Sequence, residues 1–114
     1  MNIELSKFRV KDGKSAVVDE WMKFLNDNMD EVLLTLDGEK MYVETIFREK
    51  AFDSEYLYWY SIQGEGGQDV MESESWIDKK HLEYWDECID NDSQVDMKME
   101  VSMIPKRISV EMMK

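Results

Sequence analysis

At 114 residues the chain has the length of one domain, enough to bury a single core without disulfide or metal staples. Its 14 Lys and Arg against 26 Asp and Glu leave a formal charge of -12, a field that repels phosphate backbones and anionic lipid and so excludes nucleic acid and membrane surfaces as partners. An apolar share of 43% with 35% charged residues excludes a disordered or membrane-embedded chain, and a single cysteine excludes an internal disulfide and points to a reducing compartment, the cytoplasm.

The start of the chain lacks a basic segment and a long apolar run, so it reads as neither a signal peptide nor an anchor. From Asn2 to Val10 the residues alternate, with Ile3 and Leu5 on one side and Glu4, Ser6 and Phe8 on the other, before Asp12-Gly13 turns the chain. This is a first strand. Ser15 is placed to cap a long helix whose Val18, Trp21, Met22, Leu25, Met29, Val32 and Leu36 form one apolar stripe, with Asp37-Gly38 as its stop.

Two runs rich in aromatic and β-branched residues follow, Met41 to Arg48 and Glu55 to Ser61, joined by a link short enough for a hairpin. After the glycine-rich stretch from Gln63 to Gly67, a second helix places Ile77, His81, Trp85 and Cys88 on one face and ends near Asp90-Asn91-Asp92. The last strand is Val95 to Ile104, in which Val95, Met97, Met99, Val101 and Met103 alternate with polar residues until Pro105. Residues 105–114 form a tail or a short helix.

This order is βαββαβ. It predicts a single α+β domain over residues 1–114, a ferredoxin-like sandwich with two helices on one face of a four-stranded antiparallel sheet. If the helices cover Ile3, Leu5, Met97 and Met99, the free face carries Glu4, Ser6, Phe8 and Glu100 with rings from the hairpin. A second copy is then expected to cover it, making a homodimer.

In Tyr56-Leu57-Tyr58-Trp59-Tyr60 the strand period sends Tyr56, Tyr58 and Tyr60 to one face and Trp59 to the other, so rings line both. They serve either as packing and dimer contact or as the wall of a small-molecule pocket built from Tyr42, Glu44, Tyr58, Trp59 and His81. Carboxylates beside rings, Glu44 first among them, bind protons more tightly and suit general-base work. His81, the only histidine, is the second candidate for a catalytic base, set against the role of a satisfied residue of the helix stripe. Neither a metal-ligand cluster nor a cofactor fingerprint is present: the stretch Gly64-Glu65-Gly66-Gly67 lacks the residues of a phosphate loop, and the acids around Asp90 lack the spacing of a calcium loop.

Three segments carry a resemblance: Leu5-Ser6-Lys7-Phe8-Arg9-Val10, Tyr56-Leu57-Tyr58-Trp59-Tyr60 with the glycine loop after it, and the most specific, Trp76-Ile77-Asp78-Lys79-Lys80-His81-Leu82-Glu83-Tyr84-Trp85. Through them the chain is similar over its full length to a family of small bacterial proteins known as a domain of unknown function. That resemblance implies a small α+β fold and carries over no catalytic residues. More loosely, the first strand with Lys11-Asp12-Gly13-Lys14 and a Trp-bearing helix resembles the dimeric α/β-barrel group, which includes cofactor-free monooxygenases and sugar mutarotases. The expectation is therefore a cytosolic homodimer with a small-molecule pocket and no cofactor, against two alternatives: a cofactor-free monooxygenase or isomerase, and a pure protein-interaction module.

Overall fold

In β1 (Asn2–Val10) the two most deeply buried residues are Phe8 and Val10, and their parity decides which side of the sheet meets the helices. The computed structural model describes residues 1–114, apart from the side chain of Glu72. After β1 come α1 (Ser15–Asp27), α2 (Met29–Glu39), β2 (Met41–Lys50), β3 (Glu55–Gln63), a 3-10 turn at Val70–Glu72, α3 (Trp76–Cys88), β4 (Ile89–Asp96) and α4 (Lys106–Met112). The architecture is α+β: four antiparallel strands in the order β2-β3-β1-β4, with the first three helices on one face. Among the described residues, no helix is long and apolar enough to cross a membrane.

Register fixes the side-chain rows across the sheet. Phe8 lies opposite Leu57, itself opposite Arg48; Ser6 lies opposite Trp59, itself opposite Ile46; Glu4 lies opposite Ser61, itself opposite Glu44. On the helix-covered face the sheet therefore grades from apolar at the Val10 end to polar at the Glu4 end. Val18 and Trp21 of α1 and Tyr84 and Cys88 of α3 close over the apolar end together with Phe8, Val10, Leu57 and Ile89.

The covered face is thus the one bearing Glu4, Ser6 and Phe8, the reverse of the phase that Ile3 and Leu5 led us to expect. Both parities of β1 are apolar enough to pack, and the larger pair, Phe8 and Val10 beside Leu57, takes the core. Ile3, Leu5, Lys7, Tyr56, Tyr58, Tyr60, Val43 and Phe47 lie on the other face.

Where one long helix was expected there are two. Asn28, at φ -114° and ψ 29°, leaves the helical conformation, and both its backbone N–H and its side-chain amide donate to the Phe24 carbonyl, at 3.2 and 2.8 Å. The apolar stripe runs through the break, so spacing alone does not reveal it. Ser15 is not the cap: Lys14 holds that position, and the Ser15 hydroxyl instead accepts from Arg48, 3.0 Å away. Arg48 also pairs with Asp19 of α1 and with Glu55 of β3, tying the start of α1 to the sheet.

Asp37-Gly38 does not stop α2, which runs on to Glu39 and ends at Lys40 in the left-handed region, φ 53°. The glycine stretch packs against this end: the Gln68 N–H donates to the Gly38 carbonyl at 2.9 Å and the Gly64 N–H to that of Lys40 at 2.8 Å. The expected last strand shifts too. α3 ends at Cys88, β4 begins at once with Ile89, and pairing with β1 ceases after Met97, whose N–H donates to the Leu5 carbonyl at 2.8 Å. Residues 106–112 are helical.

A Cβ at Gly67 lies 2.0 Å from the Glu39 carbonyl oxygen, a backbone atom that cannot swing aside. Gly67→Ala is expected to cost about 2 kcal/mol in a urea unfolding curve by forcing the loop off the end of α2. A loss within error of zero means that this contact does not exist.

Candidate functional site

The polar end of the covered face is not filled. Helices α1, α2 and α3 and the sheet leave between them a cleft of about 880 Å³. Its floor is the helix-covered face of the sheet, with Glu44 and Ile46 from β2, Trp59 and Ser61 from β3, and Glu4 and Ser6 from β1. Met22 and Leu25 of α1 and Met29, Val32 and Leu36 of α2 give it an apolar side. Asp78, His81 and Trp85 of α3 close it, and Glu39 enters from the end of α2. β4 adds Asn91 and Gln94, because its register against β1 shifts between the pairs Lys7–Val95 and Arg9–Asp90 and bulges the segment between them.

Each polar group here is set by a neighbour. Trp21 is fully buried, and its indole N–H donates to Nδ1 of His81 at 3.0 Å. That bond occupies the Nδ1 lone pair and leaves the proton of the neutral ring on Nε2, so His81 presents an N–H rather than a base. Burial lowers its pKa to about 4, against a raising influence from Asp78. The Trp59 ring centroid lies 5.6 Å from that of His81 and 5.1 Å from that of Trp85. Trp59 in turn lowers the proton affinity of Glu44, and the Trp85 indole donates to Asn91 at 2.9 Å.

Glu44 is reached by water through the cleft yet has protein on most sides. That desolvation raises its pKa, opposed by the Trp59 hydrogen bond and aided by the nearby charge of Asp78. Glu39 is 7% exposed, and burial first, then the charges of Asp78, Glu44 and Asp69, push its pKa up to about 7. Asp78 is 5% exposed, and its Oδ2 has no hydrogen-bond partner among the described residues. An acceptor left unmatched at that depth costs about 1–3 kcal/mol.

The residues expected from the sequence to form a pocket divide between the two faces. Glu44, Trp59 and His81 meet in the cleft, on the helix side rather than on the free face. Tyr58 lies on the opposite face, its hydroxyl donating to Glu49 at 2.8 Å and its ring 5.6 Å from Lys7 Nζ. Tyr42 stands at the irregularity between Met41 and Val43 and packs on Gly64. Glu100 is outside, 3.6 Å from Lys98. Cys88 is core, its thiol pKa raised by burial.

A model of the family of unknown function DUF6176 matches residues 1–110. The chain belongs to that family. No curated protein and no solved structure matches it.

Two cleft residues of this DUF6176 chain were not legible in its sequence. Asp78 follows Ser75 by three in the spacing of a helix capping box, and Ser75 does cap α3, its hydroxyl accepting from the Ile77 N–H at 3.3 Å. The local pattern thus accounts for Asp78 as a cap partner, whereas its Oδ2 is left unpaired inside the fold. Glu39 reads as a solvated helix end, and only the glycine stretch folding over it makes it a buried acid. Among the described residues, no group of three or more His, Cys, Asp or Glu side chains is arranged to hold a metal ion.

Glu39 and His81 act on stability in opposite pH windows. The folded state holds the Glu39 proton up to about pH 7 whereas the unfolded chain releases it near 4.5, so the contribution of Glu39 falls as pH rises through that interval. His81 stays neutral in the fold down to about pH 4, so its contribution is full above 6.5 and is lost as pH falls toward 4. Glu39→Gln is expected to match the parent within error at pH 4, below the unfolded value, and to exceed it by on the order of 1–2 kcal/mol at pH 8, in urea unfolding at both pH values. An equal effect at the two values contradicts a raised Glu39.

Proposed function

We propose that this chain is a small-molecule-binding protein of the cytoplasm, working as a homodimer, and that its ligand is a protonated amine with an apolar body held in the cleft between sheet and helices. The domain on this reading is a ferredoxin-like βαββαβ sandwich, which the sheet order, taken from its other edge as β4-β1-β3-β2, supports. The observation that carries the ligand class is the buried, unpartnered Oδ2 of Asp78 in a cavity that also gathers Glu39 and Glu44 beside the rings of Trp59 and Trp85. Desolvated carboxylates attract a cation, aromatic faces add a second attraction to it, and the methionines and leucines opposite accept its hydrocarbon part. A cationic group supplies the hydrogen bond that Asp78 Oδ2 lacks among the described residues and lowers the proton affinity of Glu39 and Glu44.

A second reading draws on the raised pKa of Glu44. A carboxylate that binds protons tightly beside an N–H donor, His81, can remove a proton from a substrate carbon while the donor steadies the developing charge, the chemistry of a cofactor-free isomerase or monooxygenase. In this version Glu44 is the base and His81 the donor.

A thermal-shift series with arylalkylamines, quaternary ammonium ions, and the matching alcohols and carboxylic acids separates the ligand classes. The amines are expected to raise the unfolding midpoint, more at pH 8 than at pH 5 because Glu39, whose pKa is pushed up to about 7, is then ionised, and Asp78→Asn with Glu44→Gln is expected to abolish the rise. A response confined to acids or alcohols, or one unchanged in the double variant, overturns the assignment.

A further inference from the structure

Beyond Met97 the backbone leaves the sheet without bending back to it. Among the described residues, no backbone hydrogen bond is made from Lys98 to Ile104, and no residue of α4 is buried. The radius of gyration is 14.9 Å, against about 13 Å for a compact domain of this length. Met99 is 54% exposed, Val101 69% and Met103 85%, all of one strand parity. A strand-like pattern with no strand to pair with calls for a neighbour.

We propose that residues 97–105 form an exchanged arm, which adds as a further strand to the free edge of β2 in a second copy of this chain while that copy returns its own arm. This rests on the homodimer reading above and names the segment that makes the dimer.

Four observations fix the occupant. β2 is an edge strand with β3 on one side only, so its other backbone groups stand unpaired. The nine residues 97–105 reach about 30 Å when extended and the ten of β2 about 33 Å, so one covers the other. In the register that sets Met99, Val101 and Met103 beside Val43 and Phe47, the arm's apolar residues join the sheet face that the helices leave free, where Phe47 of β2 is 59% exposed.

Charge agrees with this. Residues 97–114 hold Lys98, Lys106, Arg107 and Lys114 against Glu100 and Glu111, a net +2 that leaves -14 on residues 1–96 of a chain at -12. The arm itself, residues 97–105, is neutral with Lys98 against Glu100, and the segment that follows it, residues 106–114 at net +2, is attracted by the acidic body of another copy. Reciprocal exchange about a twofold axis also closes the assembly and leaves no free β2 edge to propagate a fibre.

The test uses the full chain, by light scattering at micromolar concentration with amide hydrogen exchange on the same samples. The parent is expected at twice the chain mass of 13.6 kDa, with amides 98–104 exchanging at least tenfold more slowly than in a sample diluted to monomer. Met99→Glu with Val101→Glu alters only exposed side chains; the variant is expected to scatter as a monomer with an unchanged far-ultraviolet spectrum and fast exchange over 98–104.

A parent that scatters as a monomer overturns the arm and the homodimer together. A parent and a variant that are both dimers overturn the arm alone and leave a dimer made by another surface. A dimer whose arm amides exchange freely overturns strand addition. The amine response of the cleft is read separately and is not decided by any of these results.

Discussion

The hydrogen bond from the Trp21 indole to His81 is the contact on which the rest of the structure depends. Trp21 is the largest fully buried side chain, and an indole N–H at that depth with no acceptor costs about 1–3 kcal/mol. His81 supplies the acceptor only while it is neutral, so burying one ring fixes the charge of the other and sets the spacing of α1 against α3. Around this pair the rings of Trp59, Tyr84 and Trp85 lie 5.7, 6.3 and 6.1 Å from Trp21, and Phe8 meets Trp85 edge to face at 4.7 Å. The cluster seals one end of the sandwich and keeps the helices too far from the sheet to seal the other.

The two ends follow from a single gradient along the strands. Where the sheet presents Phe8 and Leu57 the helices close on it; where it presents Glu4, Ser61 and Glu44 they cannot, because three polar side chains in a row cannot be buried without partners. Helix α2 crosses this polar end, contributing Met29, Val32 and Leu36 to the side of the cleft. The resulting cleft is apolar on one side and acidic on the other, and its acids are those whose proton affinity burial has raised. Here the chemistry of the cleft lining is a consequence of how the fold is packed.

Much of this was legible in the sequence where a pattern is local. The period of two in β1 and β3, the hairpin between β2 and β3, and the α3 stripe through Ile77, His81 and Trp85 all reappear in the structure. Parity was not legible, because Ile3 and Leu5 argue for one face and Phe8 and Val10 for the other, and only packing against Trp21 decides between them. Nor was the break at Asn28, since the stripe continues across it. The strand expected over Val95 to Ile104 does not form: β4 is Ile89–Asp96, and beyond Met97 the alternating residues have no strand within the chain to pair with. Of the residues expected in a pocket, Glu44, Trp59 and His81 line the cleft, while Asp78, also in its lining, was hidden by its position in a capping box and Glu39 by its place at a helix end.

The central claim is that the fold holds acids of raised proton affinity against a neutral His81 in the cleft. Carbon-13 NMR titration of the side-chain carboxyls, with the ring nitrogens of His81 followed in the same samples, tests it most directly. The account predicts a Glu39 midpoint near 7, a Glu44 midpoint above its ordinary 4.5, and a His81 ring that stays neutral with its proton on Nε2 down to about pH 4. Both glutamates titrating near 4.5 with His81 protonating near 6.5 would contradict it, for the cleft would then be ordinary solvated surface.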